Sequence, residues 1–219
     1  MSNKKASAKS KIMRSPNRAH YDKATLNDVL DAGYLCHVSY LFEGAPVIIP
    51  TAYARQGTII YIHGAAKNRM MNSINKQQQV CIAVTHLDGI VLARSAFHHS
   101  FNYRSAVVFG TPKKISDAQE KTMALKLITE NILPGRWQEV REPSAKEIEI
   151  TQVIAITIDE ASVKIRSGAP IDDEADYDLP VWAGELPIKQ YFQKPITDNR
   201  LTQELPVPKS VNKALKIKE

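Results

Sequence analysis

The chain has 219 residues, of which 43% are hydrophobic and 24% charged, which is the range of ordinary soluble globular proteins. Its formal net charge of +6 comes from residues 1–21, which carry six basic side chains and no acidic one, while the other 23 basic residues are matched by 23 acidic ones. A basic face that binds nucleic acid is therefore not indicated. No stretch is apolar and long enough for a membrane span or a signal peptide, so we expect a cytoplasmic protein without membrane contact.

The N-terminal region divides into a tail and a helix. Residues 1–18 are rich in Ser and Lys, a composition that has little to bury and predicts a disordered basic tail. Thr25 and Asp28 have the spacing of a capping box, which predicts a short helix that ends at Gly33.

The next segment predicts an antiparallel meander of three strands. The runs YLCHVSYLF, APVIIPTAYARQ and TIIYIHG are separated by turn residues at Glu43-Gly44 and at Gly57. Pro46 and Pro50 cannot donate to a sheet ladder, so they restrict the second strand to an edge, an end or a bulge. The period then changes, which predicts a helix over residues 65–75.

The second half of the chain continues the β pattern around one long helix. VCIAVTHL and IVLARSAF predict two strands that reverse at Asp88-Gly89, and RSAVVFGTPKKI predicts another. Asp117 is the expected N-cap of a helix over residues 118–131, with Met123 and Leu127 on its inner face. TQVIAITIDEASVKIRSG returns to strand.

Six or seven short strands joined by tight turns, with helices inserted, predict a mainly β protein with a closed or half-open antiparallel barrel of Greek-key type. Cys36 and Cys81 lie in separate apolar runs, so we expect buried free thiols. The chain becomes rich in Pro, Lys and Gln after Pro187, which predicts an extended C-terminal tail over residues 191–219.

Two cations stand where the third strand of the meander leads into a helix. Lys67 and Arg69 are unfavourable for the positive end of a helix dipole unless an anion is bound there. A phosphate group would remove that conflict, since Lys offers a point charge and Arg a two-pronged donor. The alternative is that both side chains extend into water.

The stretch SAFHHSFNYRS, residues 95–105, sets two histidines side by side between apolar runs. Adjacent strand residues point to opposite faces, so His98 and His99 cannot easily share a metal ion, and we predict no metal site. No nucleophile elbow surrounds Ser95 or Ser100, which argues against a catalytic triad. Two interpretations stay open: one histidine packs inward as a structural residue, or the pair belongs to a pocket wall.

Three separated motifs carry a family likeness over residues 14 to 190: GAPVIIPTAYARQGTIIYIHGAAKNRMMNSI, VLARSAFHHSFNYRSAVVFGTP and KIRSGAP followed by LPVWAGELP. Together they resemble the flavin-nucleotide-binding branch of the pyridoxamine 5'-phosphate oxidase-like superfamily, which includes the 5-nitroimidazole resistance proteins. The resemblance implies an FMN-binding split β-barrel over residues 19–190 that forms a homodimer with the flavin at the subunit interface.

The resemblance also implies which residues form the site. Lys67 and Arg69 would contact the flavin phosphate, and His63 takes the place of a histidine beside the substrate pocket, which makes it the candidate catalytic residue. Trp182 would pack against the flavin ring or belong to the core. The remaining candidates follow the flavin edge or line the interface: Ile48, Ile49, Pro50, Thr51, Ser95, His98, Ser100, Tyr103 and Arg104.

The expected function is that of a flavin-dependent oxidoreductase acting on a small nitro-aromatic or quinone-like acceptor. The C-terminal tail shows no match to the Arg- and His-containing motif of the true pyridoxamine phosphate oxidases, which argues against that activity. No GxGxxG fingerprint is present, so NAD(P)H would be a transient reductant. The alternative is a flavin or haem carrier without turnover on the same fold.

Overall fold

A computed structural model describes residues 7–216 of the chain. Its strands are β1 (Ala19–His20), β2 (Leu35–Phe42), β3 (Ala45–Gln56), β4 (Ile59–Ala65), β5 (Val80–Leu92), β6 (Ser100–Ile115), β7 (Thr151–Arg166) and β8 (Gly184–Pro187). Its helices are α1 (Lys23–Asp31), α2 (Arg69–Ile74), α3 (Ala118–Ile132), α4 (Ala145–Glu149) and α5 (Lys209–Lys216). No helix among residues 7–216 combines the length and the apolar character needed to cross a membrane.

The strands form one antiparallel sheet that closes on itself. The order β7, β4, β3, β2, β5, β6 returns to β7, because β6 and β7 pair along most of their lengths. β1 adds to β7 and β8 adds to β5. The predicted class, a mainly β protein with inserted helices and a split ring of antiparallel strands, is confirmed, as is the β2–β3–β4 meander.

The ring opens between β3 and β4. β3 pairs with β2 over residues 45–52, whereas β3 and β4 pair only from Tyr53 opposite Ile62 to Gln56 opposite Ile59. Pro46 and Pro50 therefore lie in a half of β3 that has one strand neighbour, as the prolines predicted. We call the opening between residues 46–52 of β3 and β4 from His63 onward the split.

The predicted reversal at Asp88-Gly89 is wrong. β5 runs straight through these residues, and Asp88 is the extra residue of a bulge, since Leu87 pairs with Tyr103 and Gly89 with Asn102. An Asp-Gly pair favours bulges as well as hairpins because both need local departures from the ladder. The chain reverses instead over residues 93–99, so the histidine pair lies in the β5–β6 turn.

Two apolar cores hold the fold. The main one fills the ring with side chains such as Val38, Tyr53 and Ile82, all fully buried. The second lies between α3 and the outside of the sheet, where Ala124 and Ile128 pack on residues of β3, β4, β6 and β7. The expected inner face of α3 was partly wrong, since Met123 is 38% exposed.

Helix starts are set by side-chain caps. Asp117 caps α3 as predicted, but α1 is capped by Asp22, which accepts the Thr25 backbone N–H at 2.8 Å, rather than by Thr25. α2 begins at Arg69 because Asn68 accepts the Met71 N–H at 3.2 Å. Lys67 therefore precedes a helix that is shorter than the predicted 65–75.

Both terminal segments contact the body of the fold. Residues 1–6 of the predicted N-terminal tail lie outside the described residues, whereas Ser7, Lys9 and Ser10 all contact the Glu160 carboxylate on β7. Residues 191–208 have no regular structure, and α5 follows them, with Ser210 donating to Glu139. The division of the chain into residues 1–18, 19–190 and 191–219 stays a prediction.

Candidate functional site

The split places an open strand edge beside polar side chains. On the side away from β2, residues 46–52 of β3 have no strand partner within the described chain. Their backbone N–H and C=O groups on that side are therefore available to a ligand. Four of the predicted residues lie here: Ile48 and Pro50 are exposed, whereas Ile49 and Thr51 are partly buried.

His63 is the first residue of β4 beyond the last β3–β4 pair. Its ring borders a cavity of about 410 Å³ that is also lined by Leu125, Arg141, Pro143, Glu147 and Thr151. Its Nδ1 atom is buried and has no hydrogen-bond partner in the described part of the chain. Burial lowers the pKa of His63, which favours a neutral imidazole at pH 7.

The two predicted phosphate ligands lie just past the split. Lys67 and Arg69 are exposed, and neither forms an ion pair with a carboxylate among residues 7–216. The Arg69 guanidinium lies 4.7 Å from the centre of the Phe42 ring, which restricts its position by a cation–π contact. Phe42 pairs with Ala45, so Arg69 lies near the start of β3, and Lys67, two residues before Arg69, also has no acidic partner among the described residues.

The outer face of the sheet is apolar next to the split. His37 pairs with Pro50 on β3 and with Ala83 on β5, and Ala83 pairs with Val107, so these four side chains share one face. The large apolar residues of this face are half exposed or more at Leu35 (50%), Leu41 (57%) and Ile48 (62%). Contiguous exposed apolar surface of this kind marks an interaction site.

The β5–β6 turn treats its two histidines differently. His98 Nε2 lies 3.4 Å from the Asp173 carboxylate, and its ring packs edge-on against Phe97. His99 is exposed, and its Nδ1 lies 2.9 Å from the Ser95 carbonyl oxygen. The described residues thus hold a partner for Nε2 of His98 and none for Nε2 of His99.

A buried carboxylate that sequence reasoning did not single out fixes this turn. Residues 167–183, which we call the strap, follow β7 and bring Asp172 against the turn with its side chain fully buried. Asp172 accepts the backbone N–H of Arg94 at 3.0 Å and a guanidinium N–H of Arg94 at 3.1 Å. The Arg94 guanidinium also lies 4.9 Å from the centre of the Tyr177 ring.

A second buried cluster joins β6 to the start of the strap. Arg166 donates to the side-chain oxygen of Asn102 and to the carbonyl oxygens of Gly168 and Ala169, at 2.8 and 3.0 Å for the two carbonyls. Asn102 in turn donates to Glu185 at 2.6 Å. The only signal of this cluster in the sequence was the polar residues of KIRSGAP and of the DDE run after it. A sequence does not show which distant residues such side chains contact.

The remaining predicted residues lie on β6 and on the strap. Arg104 makes two hydrogen bonds of 2.9 Å to Asp88, so its guanidinium already has a carboxylate. Ser100 pairs with Val91 and Tyr103 with Leu87. Trp182 is 69% exposed, which excludes it from the core, and its ring lies 3.0 Å from the position of a Cβ at Gly184.

These features define a split-barrel protein with a cleft between β3 and β4, and comparison with known proteins identifies the class. The sequence profile of the pyridoxamine 5'-phosphate oxidase family matches residues 22–165. The chain belongs to that family. No curated protein sequence matches the chain significantly.

Two solved structures resemble the chain over nearly all of its length. The flavocytochrome Anf3 from Azotobacter vinelandii is 38% identical, with a TM-score of 0.89 over 95% of this chain and 97% of that one. The FAD and haem binding protein from Mycobacterium smegmatis is 33% identical, with a TM-score of 0.86 over 90% of this chain and 97% of that one. A candidate 5-nitroimidazole antibiotic resistance protein from Bacteroides thetaiotaomicron, 20% identical with a TM-score of 0.58 over 67% of this chain and 86% of that one, shares the fold.

Proposed function

We propose that this chain is a flavin-binding redox protein whose flavin lies along the split. The observation that carries the proposal is the unpaired edge of β3, residues 46–52, beside the two unpartnered cations Lys67 and Arg69. A ring system with hydrogen-bonding edges and an attached phosphate needs both features in one place. Two relatives above 30% identity are a flavocytochrome and an FAD and haem binding protein, which supports the same cofactor class.

Each part of the split has a separate task in this proposal. The backbone of Ile48, Ile49, Pro50 and Thr51 would bond the edge of the isoalloxazine ring. Lys67 and Arg69 would hold the phosphate that FMN and FAD share, and the cation–π contact with Phe42 would restrict the Arg69 side chain before binding. FMN is the form that the sequence motifs favour, whereas the Mycobacterium smegmatis relative is named for FAD.

His63 is the proposed catalytic residue. A bound flavin supplies the electron-transfer chemistry. His63 lies where β3 and β4 separate, and its lowered pKa keeps the imidazole neutral at pH 7, so its one N–H can donate a hydrogen bond that polarises a small nitro-aromatic or quinone-like acceptor. NAD(P)H would visit the same cleft as reductant. His63→Ala is expected to leave flavin bound and to slow acceptor reduction about 100-fold.

The exposed outer face supports a homodimer. Leu35, Leu41 and Ile48 expose half or more of their surfaces on a face that runs up to the split. A second copy of the chain would cover this face and place the flavin at the subunit interface. Residues of the β5–β6 turn and of β6, such as Ser95, His98 and Tyr103, would then approach the flavin from one subunit or the other.

The test is a titration of the purified chain with FMN and, separately, with FAD, followed by flavin fluorescence. Arg69→Ala is expected to weaken binding about tenfold or more, because a charged hydrogen bond to phosphate is lost. Lys76→Ala removes an exposed cation just beyond the other end of α2 and is the matched control. Equal affinities of the two variants would remove the phosphate assignment, and absence of binding to both flavins would remove the proposed function.

A second candidate function is a redox protein that carries haem together with flavin. The names of the two full-length relatives favour it, and so does the free ring nitrogen of His99 in the β5–β6 turn. Electrons would then leave the flavin for a haem instead of a diffusing acceptor. An absorbance spectrum of the chain loaded with flavin and with haemin distinguishes the two candidates.

A further inference from the structure

We infer that His99 is the axial ligand of a haem that packs on the exposed side chains of Phe101, Leu186 and Trp182. This inference rests on the second candidate function above and adds the residues that would hold the iron and the ring.

The hydrogen bond of His99 fixes its tautomer. A carbonyl oxygen accepts and cannot donate, so the 2.9 Å contact with the Ser95 oxygen places the proton on Nδ1. Nε2 then carries a lone pair, and among residues 7–216 nothing donates to it. Histidines that bind metals use this arrangement, in which the far ring nitrogen donates to a backbone carbonyl.

The Ser95 carbonyl is itself held in place. The buried carboxylate of Asp172 accepts the Arg94 N–H at 3.0 Å and also lies 3.5 Å from the Ser95 N–H. The side-chain oxygen of Ser95 accepts the Phe97 N–H at 3.2 Å. A rigid anchor therefore orients His99 before any ligand arrives, although the ring itself is exposed. Asp172 is thus a positioning residue for His99.

His98 does not have this freedom. Its Nε2 faces the Asp173 carboxylate at 3.4 Å, and its ring contacts Phe97 with centroids 5.1 Å apart. The adjacent histidine is therefore a matched control for residue type and position in the turn. Nε2 of His99, unlike Nε2 of His98, is therefore without a partner among residues 7–216.

An apolar surface begins two residues after His99 in the chain. Phe101 on β6 pairs with Ile90 on β5, which pairs with Leu186 on β8, so the three side chains form a row on one face. Phe101 is 53% exposed, Leu186 55% and Trp182 69%. The Trp182 ring lies over Gly184, two residues from Leu186 on the same face. We call this surface, formed by Phe101, Ile90, Leu186 and Trp182, the aromatic shelf.

The donor set fits haem better than a bare metal ion. Structural and catalytic zinc sites need three or four protein ligands, and the described residues contain no group of three His, Cys, Asp or Glu side chains that could hold an ion. A porphyrin supplies the four in-plane nitrogens itself and needs an axial imidazole from the protein. Its flat apolar ring matches an exposed shelf of aromatic and aliphatic side chains.

The experiment is a titration of the purified full chain with haemin, followed by the Soret band, with FMN titrated in parallel for the parent chain and a circular dichroism spectrum of each variant as the check on its fold. His99→Ala is expected to weaken haemin binding by more than tenfold, while His98→Ala binds like the parent. Asp172→Asn, which loosens the turn without touching the haem, is expected to cost about tenfold, as other residues that orient metal ligands do. Added imidazole should restore the parent spectrum to His99→Ala.

Separate outcomes overturn the inference and the proposed flavin function. If His98→Ala loses the Soret band and His99→Ala keeps it, the ligand assignment is wrong. If the parent chain binds no haemin, either as a monomer or as a dimer, the inference fails even when flavin binds normally. His99→Met retains a possible ligand, and an unshifted spectrum for that variant would also contradict ligation by His99.

Discussion

The split and the β5–β6 turn with its strap lie on one sheet, but they handle their polar groups in opposite ways. At the turn and the start of the strap, three polar side chains are buried and form hydrogen bonds within the chain: Asp172 with Arg94, Asn102 with Glu185, and Arg166 with the Gly168 carbonyl. At the split, the edge of β3 and the cations Lys67 and Arg69 have no partner among the described residues. A polar group whose bonds are satisfied stabilises the fold, whereas one left open is available to a ligand. His99 is the exception, since it is an open group held by a closed network.

The largest expected effect tests the closed side of this comparison. Arg166→Ala leaves the Asn102 side-chain oxygen and the carbonyls of Gly168 and Ala169 without their donor, and Arg166 is only 7% exposed. We expect a loss of about 3 kcal/mol in the free energy of unfolding, measured with urea, because buried acceptors become unsatisfied.

Arg69→Ala is the matched arginine variant at the open side and should change the stability of the flavin-free chain by less than about 0.5 kcal/mol. A comparable loss of stability in both arginine variants would show that the cations at the split are structural. The contrast between the turn and the split would then be wrong.

The second prediction concerns the apolar face that adjoins the split. Ile48→Glu places a charge on a residue that is 62% exposed in the single chain. We expect the proposed dimer to weaken about tenfold or more, as sedimentation velocity would show, because a buried interface residue acquires an unpaired charge. The control is Ile171→Glu on the strap, where an isoleucine that is 70% exposed is changed in the same way. Dissociation by Ile171→Glu alone would move the interface to the strap.

The sequence was sufficient for features that depend on local chemistry. Residue types within a few positions of each other predict the meander, the Asp117 cap and the single strand neighbour of the segment that holds Pro46 and Pro50. The Asp88-Gly89 reversal failed because a turn signal does not distinguish a hairpin from a bulge. Family motifs then identified the split ring, which pattern alone left open.

The strap could not be predicted for a different reason. Asp172 and Arg94 are 78 positions apart, and Arg166 and Asn102 are 64 apart. Acidic and basic residues at such separations look like ordinary surface charges until the fold brings them together and buries them. The same holds for His99, because only the position of the Ser95 carbonyl reveals which ring nitrogen is free.

The third prediction uses pH to separate the two regions. Burial lowers the pKa of His63 in the folded chain, so the unfolded chain binds more protons in the window below pH 6.5. Stability contributed by neutral His63 is therefore present above that pH and is lost as the pH falls through the lowered folded pKa. The slope for one group cannot exceed about 1.4 kcal/mol per pH unit.

His63→Asn should flatten the stability curve between pH 6.5 and the lowered pKa, as shown by urea unfolding at several pH values. Parallel curves for the parent and His63→Asn would mean that burial does not lower the pKa of His63, and the argument for a neutral hydrogen-bond donor would lose its basis.

The smallest expected effect concerns Arg104, which the family motifs assign to the flavin interface and the structure pairs with Asp88. The pair is a little over one-third exposed on both sides, so solvent screens it and Arg104→Ala should cost less than about 1 kcal/mol of stability. Its hydrogen bonds lower the pKa of Asp88, hence this contribution disappears as the pH falls through that lowered pKa. Flavin affinity, measured by fluorescence, should fall less for Arg104→Ala than for Arg69→Ala, because the Arg104 guanidinium already has a carboxylate. A larger fall for Arg104→Ala would mean that flavin binding takes Arg104 from Asp88, and that a satisfied group can still serve the site.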